Sequence, residues 1–274
     1  MVSNQLMPRK ILAILESRAT YGYAKNVMSI MPDFPELELM TLVTGMHLIP
    51  EMGNSIDLIR MDGFPITAEV PLAPLDENPG AWSKALGTAI AGYSEVFERL
   101  EPDIILLSGD RIETTGCCLA ATYMNIPLAH IQAGDKSGHV DDLARMAIAK
   151  LAHIHLASCD DSSERLRKLG EQNFRIFNVG APQLDNIVDG DFSTGIVQVD
   201  DVSIDTSKPY VLLVQHPILV ELQDAQDQMA ATIKACVSSG LPVVWIYPNA
   251  DLGYQQIIRV IKDWRDTDSL ISLQ

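Results

Sequence analysis

Short runs that are apolar on both faces alternate with amphipathic stretches along most of the chain. Residues 11–15, 37–43, 104–107, 128–131, 154–157 and 176–179 are rich in β-formers and too short for helices, which predicts strands. Strands apolar on both faces belong in a parallel sheet covered by helices on each side and joined by right-handed crossovers. Helical period fills the intervals at 82–100 before Pro102, 114–124 ahead of Ile126-Pro127, 142–152, and 162–169 before Gly170. The pattern predicts a doubly wound α/β domain.

Across 185–208 the chain is acidic and loses its apolar periodicity, which predicts a connection between a first domain at 1–184 and a second at 209–274. The second restarts the alternation, with strands at 210–215 and 242–247 and helices at 225–237 and 254–264. Two βα units are too few to bury both faces of a sheet, so this domain is expected to be incomplete. A length of 274 residues fits two α/β units.

Charge narrows the partners. With 36 Asp and Glu against 20 Lys and Arg, the net charge of -16 repels a phosphate backbone at long range, so no nucleic acid is expected. A small anion is still compatible, because a few Arg, His and helix N-termini suffice to hold it. The four cysteines form no CxxC pair, and adjacent Cys117 and Cys118 on one predicted helix do not bridge easily; a reducing cytoplasm is expected. Residues 1–9 lack the apolar region of a signal peptide, and no apolar run approaches the ~20 residues needed to span a bilayer, so no membrane partner is expected.

In open α/β sheets ligands bind beyond the carboxyl ends of the strands. The polar segments there are Glu16 to Gly22, Thr44-Gly45-Met46-His47, Ser108-Gly109-Asp110-Arg111 and His130 to Asp135, with His216-Pro217 and Pro248-Asn249-Ala250-Asp251 in the second domain. Each has a plainer role open to it. Arg18 suits a cap or a surface ion pair, Asp110 the N-cap of the next helix, and Gly109 and Gly134 tight turns. Asp141 and Asp142 stand four and three residues before Arg145, which suits ion pairs within one helix. His153 and His155 read as packed side chains. No HExxH or other metal spacing occurs, and no GxGxxG follows the first strand, so neither a metal nor a cofactor is expected.

Taken in order, these segments resemble the UDP-N-acetylglucosamine 2-epimerase family, in its hydrolysing, sialic-acid-type branch. Ser17-Arg18-Ala19-Thr20-Tyr21-Gly22 is similar to that branch's S/T-R-A-E-Y-G, Thr44-Gly45-Met46-His47-Leu48 to T-G-x-H-L, and Gly109-Asp110-Arg111 to G-D-R. Ile126-Pro127 with His130-Ile131, then Asp141-Asp142, Arg145 and Lys150-Leu151, resemble I-P-x-x-H-I and D-(D/E)-x-x-R-H-A-I-x-K-L. Asn178-Val179-Gly180-Ala181-Pro182, Gln215-His216-Pro217 and Tyr247 to Asp251 complete the series. Thr20 and Asp135 stand where the family has Glu, Gln132 where it has Glu or His, and Met146 where it has His. The family's G-N-S-S loop and its C-terminal crossing helix do not occur in these 274 residues.

The resemblance implies two Rossmann-like doubly wound domains in a GT-B-like layout facing a cleft, the second truncated. It implies conversion of a UDP-2-acetamido sugar, such as UDP-N-acetylglucosamine, to the free 2-epimer and UDP. Asp110 and Asp141 are then the residues for proton transfer and for stabilising cationic ring character. Gln132, which transfers no protons, and Asp135 hold neighbouring acid–base positions, while Arg18 and His216 face the diphosphate. His47, Gly109, Arg111, Arg145, Asn249 and Asp251 are implied as substrate-binding. UDP or GDP, the identity of the acetamido sugar, and a homo-oligomer stay open. Two other readings stay open with them: a degenerate relative serving as a binding module, and a nucleotide-sugar glycosyltransferase sharing the layout.

Overall fold

Strand β1 (Arg9–Leu15) lies third of seven in the first sheet of the computed structural model, which describes residues 7–72, 78–190, 195–199, 202–264 and 270–273. The chain continues through α1 (Arg18–Ile30), β2 (Leu37–Thr44), α2 (Ile56–Met61), β3 (Ala68–Val70), α3 (Pro79–Leu100) and β4 (Ile104–Ser108). It then runs through α4 (Ile112–Tyr123), β5 (Leu128–Ile131), α5 (His139–Leu151), β6 (Ile154–Ala157), α6 (Asp160–Leu169), β7 (Ile176–Asn178) and α7 (Asp185–Val188). The seven strands are parallel, in the order β3-β2-β1-β4-β5-β6-β7.

The apolar runs explain the two covered faces. On one face Leu12, Ile14, Leu42, Ile105 and Leu107 pack against Tyr93 and Phe97 of α3 and Cys117, Cys118 and Ala121 of α4. On the other, Ala13, Leu15 and Val43 pack against Tyr21, Ala24 and Met28 of α1 and Ile56 and Ile59 of α2. Alternate residues of β1 therefore serve opposite cores, as the pleat requires. Each fully buried Leu or Ile here contributes roughly 1.5–3 kcal/mol.

The chain divides into two compact units, Met1–Gly190 and Asp191–Gln274. The second holds an antiparallel hairpin, β8 (Ile196–Val199) with β9 (Val202–Asp205), then β10 (Val211–Val214), α8 (Ala225–Ser238), β11 (Val243–Ile246), α9 (Tyr254–Trp264) and β12 (Leu270–Leu273). The strands β10, β11 and β12 form a parallel sheet. Leu213, Trp245, Met229, Ile233 and Ile257 make its core, while Leu212 and Val214 of β10 stay exposed.

Several elements differ from the sequence reading. Residues 18–22, expected in a loop, are the first turns of α1, because Ser17 caps the helix and makes a capping box with Thr20. The segment 185–208 is not a bare connection, since it holds α7 and the hairpin. The edge strand β3 and the third strand of the second sheet, β12, were not expected; at three and four residues they are too short to show a period.

Candidate active site at the carboxyl ends of β1 and β4

The strand order reverses at β1. The chain lays β2 and β3 to one side of it and then β4 on the other, and α1 and α4 leave toward opposite faces of the sheet. This opens a crevice beyond the carboxyl ends of β1 and β4, where Glu16 to Arg18 and Ser108 to Arg111 lie.

The turn after β4 is held from several sides. Gly109 has φ +79°, and a Cβ there would stand 3.0 Å from Glu16 Oε1 and 3.2 Å from Thr20 Cγ2, so only glycine fits. His130 Nε2 lies 2.9 Å from the Gly109 carbonyl. A carbonyl only accepts, so Nε2 carries the proton. Burial pushes this imidazole down to about 3, which leaves it neutral.

Asp110 Oδ2 accepts from Arg145 Nη2 at 2.5 Å and from Ser137 Oγ at 3.4 Å. The two charged side chains are 14% and 10% exposed, so the pair is largely withdrawn from water. Arg145 Nη1 also donates to the Gln132 carbonyl at 3.3 Å, which ties the loops after β4 and β5 to one guanidinium. The plainer roles are displaced. The N-cap of α4 is Arg111, with no side-chain cap bond, so Asp110 is not a capping residue. Arg145 reaches across to Asp110, and Asp142 accepts instead from Ser137 N at 2.6 Å.

The remaining expected residues fall into separate settings. Gln132 is 8% exposed with φ +57°, a left-handed backbone uncommon for a residue with a side chain. Asp135 accepts from Ser158 Oγ at 2.5 Å and Ser162 Oγ at 2.6 Å. Asp141 is exposed in the first turn of α5. Arg18 is the first residue of α1, half-buried, and burial pulls its guanidinium down from the ordinary value. Its charge acts on buried His47, whose Nδ1 lies 2.8 Å from Ser55 Oγ; burial is the main reason this imidazole falls to about 4. Arg111 turns back onto Glu113, with Nε 3.4 Å from Oε2. In the second unit His216 Nδ1 accepts from Asn249 N at 3.3 Å and stands 3.9 Å from Asp251 Oδ2, so these three gather at the carboxyl edge of β10 and β11.

Three participants escaped the sequence reading, and a fourth, Glu16, entered it only as the start of a polar segment. Tyr23 of α1 is half-buried, and its phenol, raised mainly by burial, feels the charges of Arg145, Asp110 and Asp135. Glu16, Glu113 and Thr114 form a buried cluster under the turn. The position of Glu16 directly after a strand was the available signal; Glu113, one residue ahead of the helix expected at 114–124, offered none. Among the described residues no group of three or more His, Cys, Asp or Glu is placed to hold a metal ion.

The sequence model of the UDP-N-acetylglucosamine 2-epimerase family matches residues 31–273. A hydrolysing UDP-N,N'-diacetylbacillosamine 2-epimerase of Legionella pneumophila is 36% identical over 260 residues, covering 95% of this chain and 69% of that protein. A UDP-N-acetylglucosamine 2-epimerase of Neisseria meningitidis is 30% identical over 254 residues, 92% of this chain and 66% of that one. A GDP/UDP-N,N'-diacetylbacillosamine 2-epimerase of Campylobacter jejuni is 28% identical, with 59% of its length spanned. The chain thus spans between 59% and 69% of these three relatives. The fold is similar to that of the Methanocaldococcus jannaschii UDP-GlcNAc 2-epimerase solved with UDP-GlcNAc and UDP, at TM-score 0.74 and 14% identity, covering 97% of this chain and 73% of that one.

Proposed function

The chain belongs to the UDP-N-acetylglucosamine 2-epimerase family, and we propose that it carries the reacting carboxylate of a hydrolysing 2-epimerase acting on a UDP-2-acetamido sugar. The observation that carries this reading is Asp110, set at the switch point of the sheet and fixed there by Arg145. The 36% identical relative favours a diacetamido sugar of the N,N'-diacetylbacillosamine type over N-acetylglucosamine itself. The free 2-epimer would feed synthesis of sialic-acid-like sugars in the cytoplasm.

In the proposed reaction the anomeric C–O bond breaks and UDP departs with the electron pair. The proton on carbon 2 leaves to a carboxylate, which gives a double bond between carbons 1 and 2. Water then adds its oxygen to carbon 1, and a proton returns to carbon 2 on the opposite face. That proton is only weakly acidic, so bond breaking at the anomeric carbon leads and negative charge grows on the diphosphate. Arg18 is assigned to that charge, and Asp110, with Asp141 as its partner, to proton transfer and to the cationic ring. The Arg145 guanidinium orients Asp110, and the neutral His130 holds the backbone that carries it.

Incubation with UDP-N,N'-diacetylbacillosamine and with UDP-N-acetylglucosamine, followed for UDP and free sugar, tests the reading. Asp110→Asn is expected to lower turnover by at least 100-fold, on the order of the loss when a general acid–base group is removed. Full turnover by that variant removes Asp110 from the chemistry. One observation favours a second reading, a binding module without turnover: Gln132 presents no group that exchanges protons at an acid–base position. UDP binding with no release of UDP from either sugar nucleotide supports that reading instead.

A further inference from the structure

Beneath the Gly109–Asp110 turn lies a carboxyl group that the proposed reaction does not use. Glu16 is 1% exposed. Its Oε1 has no hydrogen-bond partner and lies against Gly109, while its Oε2 stands 2.5 Å from Thr114 Oγ1. A second carboxyl group, Glu113, shares the cluster: a Cβ on Gly45 would meet the Glu16 carbonyl at 2.6 Å and Glu113 Oε1 at 2.7 Å. Arg111 Nε sits with Glu113, and Glu16 forms no ion pair among the described residues.

Thr114 has two oxygens to serve with one proton. Its hydroxyl carries one hydrogen, yet Oγ1 lies near both Glu16 Oε2 and the Ser108 carbonyl, the latter at 3.2 Å. The carbonyl only accepts. When Thr114 donates to Ser108, it meets Glu16 as an acceptor, and Glu16 must be the donor. Both bonds then run one way, from Glu16 through Thr114 to Ser108. An ionised Glu16 would capture the Thr114 hydrogen, deprive Ser108 of it, and leave a bare charge on Oε1 inside the protein.

We propose that Glu16 is held as a neutral carboxylic acid and acts as a positioning residue, donating through Thr114 to the Ser108 carbonyl and so fixing the turn that presents Asp110. The surroundings agree. Burial first, and then the charge of Glu113, push Glu16 well above the usual carboxylate range; Asp110 adds to this, Arg111 opposes it, and Thr114 opposes it only in the arrangement in which its hydroxyl donates to Glu16. Tyr93 of α3 and Cys117 and Cys118 of α4 also face the cluster, and burial raises all three, so they bring no charge near neutral pH. Ionising Glu16 therefore adds a second negative charge below Asp110 and removes a support of its turn. The link to catalysis rests on the reading of Asp110 given above, whereas the protonation state does not.

Infrared spectra of the purified chain in heavy water test this without substrate. At neutral pH the wild type shows the carbonyl stretch of a protonated carboxyl group; Glu16→Gln lacks that band and Glu113→Gln keeps it. Thermal unfolding against pH gives a second readout. A folded-state pKa raised above the unfolded value means stability that is present at acid pH and lost as pH rises, so Glu16→Gln matches the wild type in acid and exceeds it increasingly toward alkaline pH. A wild type without the band, a band that survives Glu16→Gln, or a Glu16→Gln chain that does not fold overturns the proposal, since a neutral isostere is what the site already holds. UDP release is measured separately, so failure of the epimerase reading leaves these outcomes intact.

Discussion

Asp110 and Arg145 are 35 residues apart in sequence and 2.5 Å apart in space, and most of what the site does depends on that contact. The pair is largely buried, so removing one partner leaves the other charged and uncompensated. Arg145→Met is expected to cost about 3–5 kcal/mol, and Asp110→Asn in the same chain to recover part of it. Denaturant titrations of the wild type, both single variants and the double variant measure the coupling; strictly additive losses would mean the contact is not energetically real. Both residues were legible in the sequence through the ordered motifs around them. Their pairing was not, because Asp141 and Asp142 offered Arg145 nearer partners at helical spacing. Tyr23 and Glu113 were illegible for a related reason: only the fold brings residues of α1 and α4 to the same turn.

Helix α1 carries the same lesson at the scale of an element. Its first residues read as a loop because the usual capping-box signal needs Glu or Gln three residues after the cap, and here that place holds Thr20. The shorter side chain still closes the box: Thr20 Oγ1 accepts from Ser17 N at 3.0 Å, and Ser17 Oγ accepts from Thr20 N at 3.3 Å. Thr20 thus departs from the family pattern while keeping the helix start that places Arg18. Ser17→Ala is expected to cost about 1 kcal/mol, read as a shift in the unfolding midpoint, with a loss of affinity for UDP if Arg18 faces the diphosphate as proposed. An unchanged midpoint would show that the cap bonds add nothing. Elsewhere the elements with a clear apolar period were found within a few residues of their bounds. Besides α1, which was not expected as a helix at all, those that escaped, β3, α2, α7, the β8–β9 hairpin and β12, are three to six residues long and are fixed by pairing or by the local turn, not by period.

For the molecule as a whole, pH gathers these local settings into one behaviour. His47 and His130 are driven down to about 4 and about 3, and His155, wholly buried, is lowered as well; in each case burial is the leading cause. A folded imidazole with a depressed pKa stays neutral where the unfolded chain takes up a proton. Stability from these residues is therefore complete above the unfolded value of about 6.5 and is lost as pH falls toward their folded values, at up to ~1.4 kcal/mol per pH unit for each histidine. Glu16 acts in the opposite direction, its contribution being lost as pH rises from the unfolded value of 4.5 toward its raised folded value, and on the alkaline side the repulsion within a chain of net charge -16 acts with it. Stability should then peak near neutrality. Added salt should help most at alkaline pH, where repulsion is largest. His130→Gln keeps a nitrogen donor for the Gly109 carbonyl and removes one titrating group, so its acid limb should be shallower by one proton while its neutral stability stays close to that of the wild type. Unfolding free energies measured across pH for the two proteins decide it, because identical acid limbs would mean that His130 does not enter the folded state as a neutral, buried imidazole.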